Sequence, residues 1–276
     1  MVSQEQRRRQ LAREKFLRQQ QRRTSARRKA RVRNSVIASV LGVVVIGSVA
    51  LYTTGVLKND DKKSNTAADV KPSASPTSKA PDPCAKPAAG SAKKLSWKKE
   101  PAMAIDTSAA YSMKLATTCG DIDIALKTAA APHTVNSFDF LAGKGFFDHT
   151  KCHRLTTTGI YVLQCGDPQG TGMGGPGYTL PDENLKDKSL KGNTYPAGTV
   201  AMANTGQKHT GGSQFFLVYK DSPLPPQYTP FGTISDAGMK VLKKIAAAGA
   251  EAADPSTGNT APNATVVINK ATVAKS

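Results

Sequence analysis

The side chains able to do chemistry gather in three short blocks. The first runs from Thr150 to Tyr178, TKCHRLTTTGIYVLQCGDPQGTGMGGPGY. It places Arg154, Gln164 and an aromatic, Tyr161, on what reads as a short strand pair, followed by a dense glycine-rich loop. The second block is VAMANTG, from Val200 to Gly206, and the third is GGSQFFLV, from Gly211 to Val218. Taken alone, Arg154 reads as an edge-strand cation paired with a surface carboxylate. Phe215 and Phe216 read as core aromatics, but neighbouring strand residues face opposite sides, so the core assignment belongs to Phe215 and leaves Phe216 for the other face.

Other constellations in the same stretch are weaker. His149, Cys152 and His153 lie close together, yet Cys152 and His153 are adjacent and would point apart on a strand. No fourth ligand stands at a recognisable spacing, so no metal is expected. A Cys-His nucleophile lacks an orienting Asp or Asn motif. Gly170-Thr-Gly172-Met-Gly174-Gly175 formally satisfies G-x-G-x-x-G. A dinucleotide site needs a helix immediately afterwards, and Pro176, Gly177, Tyr178 and Pro181 forbid one. The four cysteines, Cys84, Cys119, Cys152 and Cys165, form an even set with three possible connectivities if the region is exported.

The amino-terminal part supports export. Residues 1–33 hold 13 Lys and Arg against 2 Glu, a net of +11 out of +18 for the whole chain. Asn34 to Leu57 then carries no charge over 24 residues. At about 1.5 Å per residue such a helix crosses a hydrocarbon core of about 30 Å. Positive charge flanks the inner side of a span, so the tail is expected in the cytoplasm and the remainder outside. The tail then acts as a topology signal that also touches anionic headgroups. Without aromatic interleaving or a known motif it is not expected to bind nucleic acid. Ser48-Val49-Ala50 has the small residues of a cleavage site and makes a cleavable signal peptide the alternative. The long basic region and the apolar run continuing to Leu57 favour an uncleaved signal-anchor. Residues 58–100 are rich in Lys, Pro, Ser and Ala and read as a flexible, disordered stalk, with Trp97 marking where the chain docks.

The domain of residues 101–276 must position the three blocks. YSMKLAT and DIDIAL alternate apolar and polar residues around a turn at Thr118-Cys119-Gly120-Asp121, predicting a hairpin. Pro132 to Ala142 shifts to helical spacing through Val135, Phe138 and Leu141, with Pro132 at a first helical position and Gly143 and Gly145 ending it. A second helix is predicted over Ala237–Ala248, with Val241, Leu242 and Ile245 as its apolar stripe, Asp236 as N-cap and Gly249 behind. Val266-Val267-Ile268 reads as a last strand. Many short strands and two separated helices fit a barrel or a sandwich.

The three blocks together resemble the cyclophilins, the peptidyl-prolyl cis-trans isomerases, over roughly Tyr111 to Ala271. The resemblance implies a mainly β fold, an eight-stranded antiparallel barrel with a helix over each opening, here preceded by a single transmembrane helix and the stalk. It implies an isomerase that accelerates folding of exported proteins and needs no cofactor. Its partners are proline-containing segments, and a monomeric domain is expected. In the family an Arg and a Gln on successive strands enter one groove, which points to Arg154 and Gln164, although the connection between them is longer by two residues. Phe216 matches the proline-pocket aromatic, with Tyr161, Val162 and Leu224 lining the same pocket. Ala203 and Asn204 match the pair that grips the residues before proline, and Gln214 lies beside the groove. The stretch from Asn204 to Phe216 is one residue longer than usual. Tyr228 stands where a His is common and can still hydrogen-bond a substrate carbonyl. Pro223 stands where a Trp often supplies a donor to cyclosporin. If Arg154 faces Gln164, Cys152 nearly faces Cys165, so the resemblance favours Cys152–Cys165 and leaves Cys84–Cys119 to tie the stalk to the first hairpin.

Rotating an X-Pro bond needs no nucleophile or proton. Partial double-bond character sets a barrier of about 18–20 kcal/mol, and a fixed cationic donor lowers it by stabilising the twisted state. An Arg guanidinium suits that task because it stays charged and offers several donors.

Overall fold

The computed structural model describes residues 81–254 and 259–276. The basic tail, the apolar stretch 34–57 and the first part of the stalk lie outside the described residues. Among the described residues no helix is long and apolar enough to cross a membrane.

The hairpin forms as its alternation demands. β1 (Tyr111–Thr117) turns at Thr118-Cys119 into β2 (Gly120–Leu126), pairing Met113 with Ile124 and Leu115 with Ile122. These four side chains are almost wholly buried, whereas Lys114 faces solvent and pairs with Asp121 at 2.9 Å. The first helix, α1 (Pro132–Gly143), starts on Pro132 and buries Val135, Phe138 and Leu141.

The remaining strands are short: β3 (Thr150–Lys151), β4 (Arg154–Leu155), β5 (Val162–Cys165), β6 (Thr194–Tyr195), β7 (Thr199–Met202), β8 (Phe215–Val218), β9 (Ser222–Pro223) and β10 (Pro230–Ile234). The last strand, β11 (Val267–Lys275), runs well beyond the predicted three residues because it pairs with β1 along its whole length. Against the eight strands expected, eleven form among the described residues. Nine form one antiparallel sheet in the order β3-β11-β1-β2-β10-β7-β8-β5-β4, and β6 pairs only with β9. The two edges of the large sheet, β3 and β4, are successive pieces of one stretch interrupted at Cys152-His153. The sheet therefore curls until its edges approach in Thr150–Leu155, and its strand count differs from the eight expected because that strand is interrupted and β6 and β9 pair apart.

The second helix, α2 (Asp236–Ala247), differs from expectation at its start. Ser235, not Asp236, is the N-cap; its Oγ accepts from the Gly238 N–H at 3.1 Å. Asp236 instead lies in the first turn, where a negative charge complements the helix dipole. Leu242 and Ile245 are buried, and Val241 is half-buried over Gly120.

The interior has two parts. The larger is built around Phe138, whose ring meets Phe231 at 4.6 Å, Phe147 at 5.2 Å and Phe215 at 5.5 Å. The smaller holds Val162, Tyr195, Ala201, Phe216 and Val218.

Of the stretch read as a stalk over 58–100, residues 81–100 are instead a strap on the sheet. Cys84 is bridged to Cys119, the Ala85 N–H donates to Thr118 O at 2.8 Å, and the Ala88 N–H donates to Asn269 Oδ1 at 3.0 Å. Leu95 and Trp97 pack against the larger core. Composition averaged over the stalk hides these few anchors: one disulfide, two apolar side chains and the hydrogen bonds to Thr118 and Asn269.

Phe138→Ala should cost about 3–5 kcal/mol, since the ring is fully buried among three others and the site cannot collapse around a methyl group. Urea unfolding of the variant should show a lower midpoint with an unchanged slope.

Candidate functional site

Strand register builds the site. Arg154 on β4 is paired with Gln164 on β5, Gln164 with Phe216 on β8, and Phe216 with Ala201 on β7. One row of side chains thus crosses four strands on a single face. The pairing of β4 with β5 spans only two positions, Arg154↔Gln164 and Leu155↔Leu163. Beside it Cys152 is bridged to Cys165, with Cα atoms 4.1 Å apart. Both bridges thus join the cysteines that the resemblance paired. Closing a loop with 12 intervening residues stabilises by roughly 3 kcal/mol in the chain-entropy account.

A relay of side-chain hydrogen bonds runs out from the Arg. Arg154 Nη1 donates to Gln164 Oε1 at 3.2 Å, Gln164 Nε2 donates to Gln214 Oε1 at 2.8 Å, and Gln214 Nε2 donates to Gly174 O at 2.9 Å. Every donor points away from the cation, so each bond polarises the next. The guanidinium is half-buried at the mouth of a cavity of about 330 Å³ lined by Val162, Gln164, Ala203, Asn204, Phe216, Leu224 and Tyr228. That size suits a small apolar group with a few fixed polar neighbours.

Tyr161 is the exception among the residues expected to line this cavity. Its ring packs edge-on to Tyr219 at 5.9 Å, under Lys220 Nζ at 4.5 Å, and Ile160 lines the cavity instead. The longer connection after Arg154 displaces the match at this point, while the direct pairing of Arg154 and Gln164 is kept. Gln214 lines the adjoining cavity and enters the site through the relay. Asn204 is held from two sides: its Nδ2 donates to Gln227 O, 23 residues on, at 2.8 Å, and its Oδ1 accepts from the Gly206 N–H in its own loop at 2.9 Å.

Two residues escaped the sequence reading. Tyr195, fully buried behind Phe216, donates its hydroxyl to Tyr228 O at 2.7 Å and accepts from the Tyr228 N–H at 3.1 Å. Burial pushes its phenol up to about 12. Its lone position in KGNTYPAG offers no pattern to find it by. Asp167 organises the glycine-rich loop. Its carboxylate accepts from the N–H groups of Gln169 at 2.7 Å, Thr171 at 2.9 Å and Gly172 at 2.7 Å. Burial alone would raise this carboxyl, but the backbone donors outweigh it and hold it below the ordinary carboxylate value. The N–H groups that a phosphate would need are therefore spent on an internal anion. Gly166 begins this loop with φ +89, and a Cβ there would strike the Ser213 carbonyl oxygen, so no other residue fits.

His153 lies between the bridged Cys152 and Arg154 and is buried, with neither ring nitrogen hydrogen-bonded. Burial depresses its basicity; Asp167 acts in the opposite sense and Arg154 in the same sense. Among the described residues no group of His, Cys, Asp and Glu is arranged to hold a metal.

Comparison with known proteins matches residues 112–273 to the family described as Cyclophilin type peptidyl-prolyl cis-trans isomerase/CLD. The chain is 51% identical over 149 residues to a probable peptidyl-prolyl cis-trans isomerase B of Mycobacterium leprae, covering 51% of this chain and 50% of that protein. It is 50% identical over 149 residues to the like-named Mycobacterium tuberculosis protein, covering 51% of this chain and 48% of that one. A peptidyl-prolyl cis-trans isomerase B of Bacillus subtilis is 41% identical over 125 residues, covering 45% of this chain and 82% of the relative. The chain thus spans about half the length of the mycobacterial relatives it matches.

His153 makes stability depend on pH. Its native pKa is lowered, so the unfolded chain takes up the proton first, near its ordinary value of about 6.5. The stabilisation is full above that pH and declines as pH falls towards the native pKa. Urea midpoints measured from pH 8 to pH 5 should fall, and His153→Phe should flatten the decline. An unchanged slope in the variant would assign it to another group.

Proposed function

The chain belongs to the cyclophilin-type peptidyl-prolyl cis-trans isomerase family, and from that premise we propose that the groove at Arg154 rotates X-Pro bonds in exported polypeptides. The observation that carries the reading is the row Arg154–Gln164–Phe216, which sets a fixed cation over an apolar pocket. The prolyl ring enters against Phe216, Val162 and Leu224. Arg154 donates towards the prolyl amide as its resonance is lost, and its relay through Gln164 and Gln214 removes the need to reorient during the twist. Tyr228 presents its hydroxyl at the rim in place of the more common His. No bond is made or broken in the rotation, so the side chains present are sufficient for it.

The proposed setting is a membrane-tethered domain outside the cytoplasm. An uncharged stretch of 24 residues directly after 13 cations supports a signal-anchor with its amino terminus inside. The bridges Cys84–Cys119 and Cys152–Cys165 support an oxidising compartment, because they would be reduced in the cytosol.

A protease-coupled prolyl-peptide assay on the full chain tests the activity. Arg154→Ala should lower kcat/KM by on the order of a hundredfold, as for loss of one preorganised donor. Phe216→Ala should instead raise KM through lost pocket area. Binding of prolyl peptides without turnover would replace the enzyme with a docking module.

Pro223 is exposed on β9, next to the cavity-lining Leu224, where a Trp indole would donate to cyclosporin. Inhibition of the unmodified chain should accordingly be weak, and Pro223→Trp should strengthen it in the same assay. Tight inhibition without the substitution would show that another donor serves this position.

A further inference from the structure

The strap of residues 81–100 lies outside the matched family region, yet it reaches the edge of the groove. The Trp97 N–H donates to Pro176 O at 2.8 Å. Gly177, at φ +91, has no room for a Cβ: Ser96 Oγ occupies that space, with Trp97 O at 2.7 Å from the position a Cβ would take. The Trp97 indole is wedged against Phe140, edge-on at 5.0 Å, and against Phe146 at 6.1 Å. The strap is therefore seated on α1 and on the turn after it while its backbone grips the glycine-rich loop.

That loop closes the relay from Arg154. Gly174, whose carbonyl accepts from Gln214, stands two residues before Pro176. Gly172 to Gly177 also wall the adjoining cavity of about 520 Å³, together with Gln164 and Gln214. Four glycines in six residues give the loop little stiffness of its own. Asp167 anchors its start through Gln169, Thr171 and Gly172 and also accepts from the Gly174 N–H, leaving the Gly174 carbonyl to the chain that follows, and Tyr178 anchors its end through a 2.7 Å bond between its hydroxyl and that of Ser137. Pro176 and Gly177 between these anchors are held by the strap.

We propose that Trp97 is a positioning residue: through Pro176 and Gly177 it fixes the Gly174 carbonyl, and through Gln214 and Gln164 the orientation of Arg154. The segment joining this domain to the amino-terminal part of the chain is thus a component of the site. The proposal rests on the isomerase reading for its kinetic consequence. Its structural content stands on the contacts alone.

The test uses the full chain in detergent. Trp97→Ala should lower kcat about fivefold at a temperature far below unfolding, with KM changed less than about twofold, because misplacing a catalytic group by a fraction of an ångström acts on turnover more than on binding. Trp97→Phe keeps a ring in the wedge and should restore most of the loss. Gln214→Leu cuts the relay between Gln164 and Gly174, so adding Trp97→Ala to it should cause little further loss. Side-chain amide signals of Gln164 and Gln214 in nitrogen-15 spectra should also shift in Trp97→Ala. A lowered melting temperature with unchanged kcat and unmoved amide signals would overturn the proposal, as would full additivity with Gln214→Leu. If the unmodified chain shows no turnover, the isomerase reading fails separately, and the amide signals alone decide whether the strap orients the relay.

Discussion

A two-residue ladder carries the site. Arg154 and Gln164 face each other only because β4 and β5 pair at two positions, and so short a ladder supplies little register of its own. A slip by one residue would send Gln164 to the core face and Leu163 or Cys165 into the groove. The bridge Cys152–Cys165 removes that freedom, since a disulfide tolerates only a narrow range of Cα separations. The constraint spreads outward: with Gln164 placed, its pairing with β8 sets Phe216 on the groove side and Phe215 in the larger core.

The site divides its tasks between stiff and compliant parts. The floor is sheet, with Phe216, Val162 and Ala201 almost wholly buried and Tyr195 locked behind them by two hydrogen bonds to Tyr228. The wall is a loop with little intrinsic order. It is tied by an internal carboxylate at Asp167, by Gln214 from β8's approach and by the strap at Pro176. A buried anion gripping backbone N–H groups is a stable arrangement because charge-assisted bonds offset its desolvation. It also leaves the loop's donors unavailable to an outside anion.

Local pattern made much of this legible. Alternation in YSMKLAT and DIDIAL, the Pro132 helix start and the Leu242/Ile245 stripe are short-range signals, and each element formed where its period placed it. The blocks around Arg154, Gln164, Asn204 and Phe216 had no such period; they were picked out only through the resemblance of their residue types, across two connections longer than the family's usual ones. Boundaries were less legible. Ser235 displaced Asp236 as cap because either side chain can accept from the helix start, and only the backbone entering the helix selects between them.

Tertiary structure alone decided what depends on distant partners. Tyr161 left the cavity because a connection lengthened by two residues must bulge somewhere, and the packing of Tyr219 and Lys220 chose where. Tyr195 and Asp167 acquired their roles from backbone groups that fold against them, Tyr228 lying 33 residues away from Tyr195. The strap became part of the domain through Cys84, Leu95 and Trp97, three anchors in a stretch whose composition is that of a linker. Sequence by itself determined the elements, because periodicity is local, and pointed to the residue types of the groove only through their resemblance to a known family. Which side chains meet, and which loop carbonyl ends the relay from Arg154, follow from long-range register, which no local pattern encodes.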